Sequence, residues 1–324
     1  MAHPTALVLH PDCARHDPGW GHPEHQGRLP AIIGAIYQDT PALIEHVLQR
    51  EGRLAAPAEL LRVHTPEHVE LVRRAAEAAQ EQGQPVFLDA DTVVSAASWD
   101  AALAAVGCAI TAVELVLEED AASAFAATRP PGHHASADTP MGFCLFNNVA
   151  VAARWAQAER GIGRVLIVDW DVHHGNGTQD IFYEDPTVYY LSLHLSPHYP
   201  GTGSAHERGA GAGLGTTRNI PLAPATTAEE YLRLFRGALD DAVAEFAPEL
   251  VLVSAGFDCL AQDPLGGLRL EPQDLHALTA VLLERARPTA AGRVVALLEG
   301  GYVPRRMGEG VVNVLRALAG LPPK

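Results

Sequence analysis

An open, mostly parallel α/β sheet flanked by helices is predicted by three features of the sequence. Short, continuous apolar runs recur along the chain; they alternate with longer Ala/Leu/Glu/Arg-rich stretches of helical pattern; and several of the runs end in turn-like or polar residues. A continuous rather than alternating run suits a strand buried on both faces, which is what helices on both sides of a parallel sheet require. The 324 residues, 48% hydrophobic and 19% charged, suffice for a large core. With no internal repeat and no long linker, the chain is expected to form one domain over 1–324.

Strands are predicted at 6–10, 122–129, 164–171, 188–194, 250–258 and 294–302, and helices at 66–82, 96–118, 147–159, 227–245 and 272–287. Thr65 before Pro66 is a capping residue followed by proline at the first helical position, and Glu67 adds first-turn negative charge. The glycine-dense stretch 201–215 reads as loop. It contains GxG spacings, but no strand leads into it and no helix opens from it, so it is not a dinucleotide fingerprint.

Lys+Arg 23 against Asp+Glu 39 gives a net charge of −16, which disfavours nucleic-acid phosphates as partners. No uninterrupted apolar run of 18 residues occurs, so no membrane span is expected. The opening MAHPTALVLHPD has neither a basic n-region nor a long apolar h-region. Cys13, Cys108, Cys144 and Cys259 form no CxxC pair and suit a reducing compartment, so the expected location is the cytoplasm. Nothing in the sequence sets the oligomeric state.

Ligands in open α/β sheets bind beyond the carboxyl ends of the strands, and the unusual polar residues are expected there. Asp171 and His173, two apart on an extended segment, would point the same way, and Asp258 from another strand end would complete a three-ligand site with an open position. That set suits catalytic zinc and is also compatible with ferrous iron. The bland alternative is that Asp171 caps a turn and His173 is a solvated loop residue. His133 and His134, after Pro130-Pro131-Gly132, are candidates for moving protons near neutral pH, with Asp169 and Asn176 as orienting partners. Otherwise they are a pair of surface histidines. Tyr302, behind Gly300-Gly301, is the candidate oxyanion donor, against the alternative of a core tyrosine.

RPPGHHA (129–135), MGFCLFNN (141–148), DWDVHHGNGTQ (169–179), SLH (192–194), PGTG (200–203), NIPL (219–222), SAGFD (254–258) and LEGGY (298–302) together resemble the zinc-dependent histone deacetylase superfamily, which includes acetylpolyamine amidohydrolases. With HPEHQGR (22–28) the motifs run in family order over nearly the whole chain, and their wording is closer to the class II branch. The resemblance implies an arginase/deacetylase-type fold and Zn2+ held by Asp171, His173 and Asp258. It implies His134 as general base and then acid, a mainly electrostatic His133 paired with Asp169, and Tyr302 on the oxyanion. It implies a structural K+ at Asp169, Asp171, His173, Ser192 and Leu193, with a second monovalent site near Phe182, Asp185 and Val188. An acyl-lysine tunnel would be walled by Phe143 and Tyr199, with Gly132 leaving room for the stem. Asp91 matches the rim acid that grips the substrate backbone, and Arg28 the arginine beside an internal acetate pocket.

Two departures bear on the substrate. Asn176 stands where class I relatives have aspartate, which leaves the imidazole of His134 less basic. Leu265 stands where polyamine-preferring class II relatives carry an acid, which tilts the reading toward acyl-lysine peptides over small acetylated amines. Acetylpolyamine hydrolysis and removal of longer acyl chains remain alternatives. An arginase-like two-metal site would need D-x-H-x-D, but Gly175 holds the last position. A non-catalytic scaffold would be expected to lack one of His133, His134 and Tyr302. His16, His198 and His206 are expected on loops near the entrance, and Cys144 near the product channel.

Overall fold

The apolar runs become strands where expected: four are shorter than predicted, one is shifted by a residue and one is a residue longer. In the computed structural model, which describes residues 3–324, the strands are β1 (Thr5–Leu9), β2 (Val47–Glu51), β3 (Val86–Phe87), β4 (Val93–Val94), β5 (Ser123–Ala126), β6 (Val165–Asp169), β7 (Val188–Leu195), β8 (Thr217–Leu222), β9 (Leu250–Ala255) and β10 (Val294–Leu298). Eight of them form a single sheet in the order β2-β1-β5-β10-β9-β6-β7-β8, with every neighbouring pair parallel. The short strands β3 and β4 pair separately and antiparallel. β5, β6, β7, β9 and β10 are buried along their whole length, as their mainly apolar sequences require.

Around the sheet lie α1 (Arg28–Gln38), α2 (Thr40–Leu43), α3 (Pro57–Leu60), α4 (Pro66–Gln82), α5 (Ser98–Leu117), α6 (Asn148–Arg160), α7 (Asn176–Phe182), α8 (Ala228–Phe246), α9 (Pro272–Ala290) and α10 (Pro304–Leu318). The Thr65 hydroxyl accepts from His68 N at 3.2 Å, so the cap read from Thr65-Pro66 forms, and Gly83 closes α4 in the left-handed conformation. Asn147 and Thr227 cap α6 and α8 in the same way.

Nine of these strands and helices escaped the apolar pattern: β2, β3, β4, β8, α1, α2, α3, α7 and α10. β2 (VLQRE) and β8 (TRNIPL) are the two edges of the sheet and carry polar residues and a proline, which edges tolerate. α1 and α10 carry internal glycines and a proline, and packing on each other sustains them. A Cβ at Gly308 of α10 would lie 2.9 Å from both the Ala31 carbonyl oxygen and Ala35 Cβ of α1, so the glycine permits a close approach. One helix nevertheless reaches membrane length. α5 is long and apolar enough to cross a bilayer, with mean hydropathy 1.9, and Asp100 and Glu114 are what interrupt its apolar run. In the fold 72% of that window is buried, as befits a core helix.

The topology sets the site. The chain passes from β5 to β6, which stand apart, and only later inserts β9 and β10 between them. The carboxyl ends of β5, β10, β9 and β6 are therefore adjacent at the centre of the sheet, where strand order reverses and a crevice forms.

Candidate active site

The strands stop before the chemistry begins. β6 ends at Asp169, and Asp171 and His173 lie beyond it on a bend rather than on extended chain. Strand alternation therefore does not align them, contrary to the expectation from spacing. Instead Asp171 Oδ1 accepts from His173 N at 2.9 Å and lies 3.0 Å from His173 Nδ1, so the turn folds the two side chains together. Asp258 follows β9 by three residues, and its Oδ1 accepts from Val172 N at 2.9 Å. Its Oδ2 sits 3.2 Å from His173 Nδ1, yet outside hydrogen-bonding geometry, and is buried without a partner. The other oxygen of Asp171, Oδ2, accepts from Gly300 N at 2.8 Å.

Asp171, His173 and Asp258 thus offer ligand atoms within 4.8 Å of one another, all buried, and they are the one such cluster among the described residues. Burial opposes the charged form of His173, but Asp171 and Asp258 overcome it and raise the imidazole to about 10. Burial, helped by Asp171, pushes Asp258 up to about 7. An orphaned carboxylate oxygen in a dry site is costly unless a cation answers it, and two carboxylates with an imidazole are suitable donors for zinc or ferrous iron. The residues present fit a divalent ion.

The Pro-Pro-Gly loop after β5 sets His133 and His134 beside this cluster, their rings 4.0 Å apart. His133 Nδ1 donates to Asp169 Oδ2 at 3.0 Å. Burial works against its charge, but Asp169 and Asp171 prevail and raise it to about 10, so it is a cation at neutral pH. His134 differs. Its Nδ1 lies 2.8 Å from Asn176 Oδ1, and burial with the neighbouring His133 and His173 holds the ring well below the ordinary histidine range. It is neutral, with Nδ1–H on Asn176 and Nε2 free to accept a proton.

Sequence reasoning gave Glu299 no role, although it lies inside the LEGGY motif. Fully buried, it accepts from Gly132 N (2.6 Å) and His133 N (3.2 Å) through Oε2, and from Ser254 Oγ (3.1 Å) through Oε1. It anchors the start of the histidine loop. Its signal was an acid in an otherwise apolar run.

A cavity of about 290 Å³ opens over the cluster, lined by Phe143, Tyr199, Leu265, His198, His134 and Tyr302, with Asp91 exposed at its mouth. Phe143 meets Tyr302 edge-on at 5.8 Å, and Tyr199 meets His134 edge-on at 5.2 Å. Gly132 is not part of this wall. A Cβ there would press on Phe146 O and Asn148, so its smallness serves backbone packing rather than a substrate stem. Gly142 is the glycine of the pocket. It lies at φ +56, and a Cβ would come within 2.5 Å of His134 Cδ2 and 3.1 Å of the Tyr199 hydroxyl. Phe143 is itself left-handed at φ +69, an uncommon conformation for a side-chain-bearing residue, and Thr92 Oγ1 holds its N–H at 3.2 Å.

Arg28 is fully buried behind the cavity, paired with Glu24 at 3.0 Å, its guanidinium 5.2 Å from the Tyr302 ring centroid. Asp169 and Ser192 are register partners across β6 and β7, which brings together the Asp169–His173 segment and Ser192-Leu193. Asp185, near Phe182 and Val188, is committed to Arg154 at 2.6 Å. Of the histidines expected at the entrance, His198 lines the cavity and stacks on His173 at 5.0 Å, and His206 is exposed. His16 is not at the entrance: it is buried, 2.7 Å from Ser98 Oγ, because the Glu24–Arg129 pair draws its loop inward. All four cysteines are free and buried.

Residues 22–318 match the histone deacetylase domain family. A probable deacetylase of Archaeoglobus fulgidus is 37% identical, over 98% of this chain and 86% of its own length. The human protein named polyamine deacetylase HDAC10 is also 37% identical over 98% of this chain, which spans 48% of that longer protein. Among solved structures, the HDA15 HD domain superposes with a TM-score of 0.91 at 34% identity, covering all of this chain and 91% of its own. An arginase/deacetylase fold, a metal-fitting cluster at its central crevice and a family match across nearly the whole length lead to one conclusion: the chain belongs to the histone deacetylase family.

Proposed function

We propose that this protein is a zinc-dependent amidohydrolase that removes acetyl groups from acylated lysine side chains. The observation that carries the reading is the convergence of Asp171, His173 and Asp258 with a neutral His134 and a half-buried Tyr302 at the floor of one apolar cavity.

Asp171, His173 and Asp258 would hold a divalent ion, which would supply Lewis acidity toward an amide carbonyl and a water molecule. His134 Nε2 takes the proton of that water as its oxygen bonds to the carbonyl carbon, and the new charge on the ring is tolerated because Nδ1–H rests on Asn176. His133, held positive by Asp169, stabilises the developing negative charge. Burial, with Asp258 nearby, keeps the Tyr302 phenol protonated well past its ordinary range, so it donates a hydrogen bond to the oxyanion. His134 then returns its proton to the leaving nitrogen, the C–N bond breaks, and the remaining proton of the water passes from the new carboxyl to the amine, leaving acetate and an ammonium group. Phe143 and Tyr199 flank the aliphatic stem, Asp91 holds the substrate backbone at the mouth, and Arg28 faces the acetate side. We assign a structural potassium ion to Asp169, Asp171, His173, Ser192 and Leu193, a cytoplasmic location in keeping with the free cysteines, and one catalytic domain to the whole chain.

Leu265 at the cavity wall offers no charge to a distant ammonium, which favours acyl-lysine peptides. A second reading, acetylpolyamine hydrolysis, draws on Asp89 and Asp91 beside the mouth, where burial and Asp89 raise Asp91 above the usual carboxylate range. The test is metal content and turnover measured together on an acetyl-lysine peptide, acetylspermidine and a long-chain acyl-lysine peptide. One equivalent of zinc with fastest acetyl-lysine cleavage is expected. Faster acetylspermidine cleavage selects the second reading, and bound metal without any amide cleavage overturns the enzyme reading.

A further inference from the structure

The peptide bond that precedes Tyr302 is gripped at both of its polar atoms. Arg28 Nε donates to the Gly301 carbonyl oxygen at 2.8 Å, and the Tyr302 N–H donates to Asp263 Oδ2 at 2.7 Å. The chain on the other side of this peptide is soft, because Gly300 and Gly301 have no side chains and Gly301 lies at φ +121. The two charged side chains therefore do what the local backbone does not: they fix the plane from which the Tyr302 side chain departs. Asp263 is the more exposed of the two to the events at the cavity. Its second oxygen, Oδ1, accepts from Leu265 N at 3.0 Å, and its carbonyl accepts from Gly266 N at 3.3 Å. A single carboxylate thus joins the backbone of the tyrosine at the cavity floor to the backbone of the residue in its wall.

We propose that Asp263 is a positioning residue that acts through Tyr302, holding the phenol on the reacting carbonyl and tying it to the Leu265 wall. The inference rests on the role given to Tyr302 above. A carboxylate is needed because both partners are N–H donors. Asparagine can present one oxygen to one of them but must turn its amide N–H2 toward the other.

The test is a double-mutant cycle on the zinc-loaded full chain, combining Asp263→Asn with Tyr302→Phe, with kcat, KM and zinc content read for each variant. Asp263→Asn should lower kcat by about tenfold to a hundredfold, the scale of a small misplacement at a reacting centre. Zinc stoichiometry should be unchanged and KM should move by less than about threefold. In the Tyr302→Phe background the same substitution should cost less than about threefold, because the hydroxyl it positions is gone. Asp263→Glu, run in parallel, keeps the charge with altered reach. It should lose less than Asn in the wild-type background, and it keeps the test decisive if the Asn variant folds poorly. Equal losses in both backgrounds, or no loss in the wild-type background, overturn the proposal. Unchanged turnover in Tyr302→Phe alone would instead overturn the underlying role of the tyrosine.

Discussion

The core around α5 and the cluster at the carboxyl ends of β5, β10, β9 and β6 are both buried, yet they are built from opposite materials. Ala104, Ala105, Val106 and Ala109 of α5 are fully buried among alanine, valine and leucine, where dispersion and the hydrophobic effect act without direction. Glu24, Arg28, Arg129, Asp169, Asp171, Asp258 and Glu299 are just as fully buried, and each must find a partner. Arg129 spans Glu24 and the carbonyls of Cys13 and His16, and Glu299 answers two backbone N–H groups. Asp258 Oδ2 alone among the buried carboxylate oxygens of the described residues has no hydrogen-bond donor. The difference teaches that the apolar region holds the scaffold rigid enough for the polar one to keep a carboxylate oxygen unsatisfied, and that oxygen is one a metal would use.

Substitutions should separate the two regions, and the largest effect is expected in the polar one. Asp258→Ala should abolish zinc binding and reduce turnover by about four orders of magnitude or more, since the ligand set loses its third member. Metal analysis with steady-state kinetics checks this, and circular dichroism should show the helices intact. Retained zinc would break the contrast by making Asp258 structural.

Next come His134 and Tyr302. His134→Ala and Tyr302→Phe should each lower turnover by about two to four orders of magnitude with zinc still bound. The pH profile gives the sign. Because burial and neighbouring histidines hold His134 below its ordinary 6.5, its proton-accepting form persists at and below that pH. Turnover should stay flat down through 6.5 and fall only in more acid solution, as the ring protonates. Asn176→Asp, by placing a carboxylate on Nδ1, should shift that acid limb upward. An unmoved limb would assign the titration to another group.

In the apolar region the expected loss is in stability alone. A side chain at Gly107 would collide with the Arg53 carbonyl oxygen, so Gly107→Val should lower stability by about 1–3 kcal/mol, read as a drop in Tm, with kcat per folded, zinc-loaded molecule unchanged. The smallest effect is the most specific. Leu265→Glu should shift the ratio of kcat/KM toward acetylspermidine over acetyl-lysine peptide by roughly tenfold, the worth of one charge-assisted contact. A ratio that does not move would show that the wall at Leu265 does not select the amine.

Much of this was legible without coordinates, because strand-end chemistry has a linear signature. A buried strand must be continuously apolar, so Asp169, Asp258 and Tyr302 stood out where those runs stopped, and the pairs His133–Asp169 and His134–Asn176 form as expected. Local capping was equally readable, since Thr65 and Pro66 act within one turn. Gly132 and Gly142 show the limit. Both are glycines near the histidines in sequence, and only the fold decides that the first faces the backbone of Phe146 and Asn148 while the second faces the cavity. The same holds for α1 and α10, whose glycines look disruptive until the helices are seen to pack through them, and for Asp263 and Glu299, whose partners are N–H groups 39 and 166 or more residues away. Apolar periodicity and turn chemistry are short-range and determined six of the ten strands, five of the ten α-helices and the residues at the strand ends. Which buried carboxylate meets which backbone donor depends on strand order, and strand order is a property of the whole chain closing on itself.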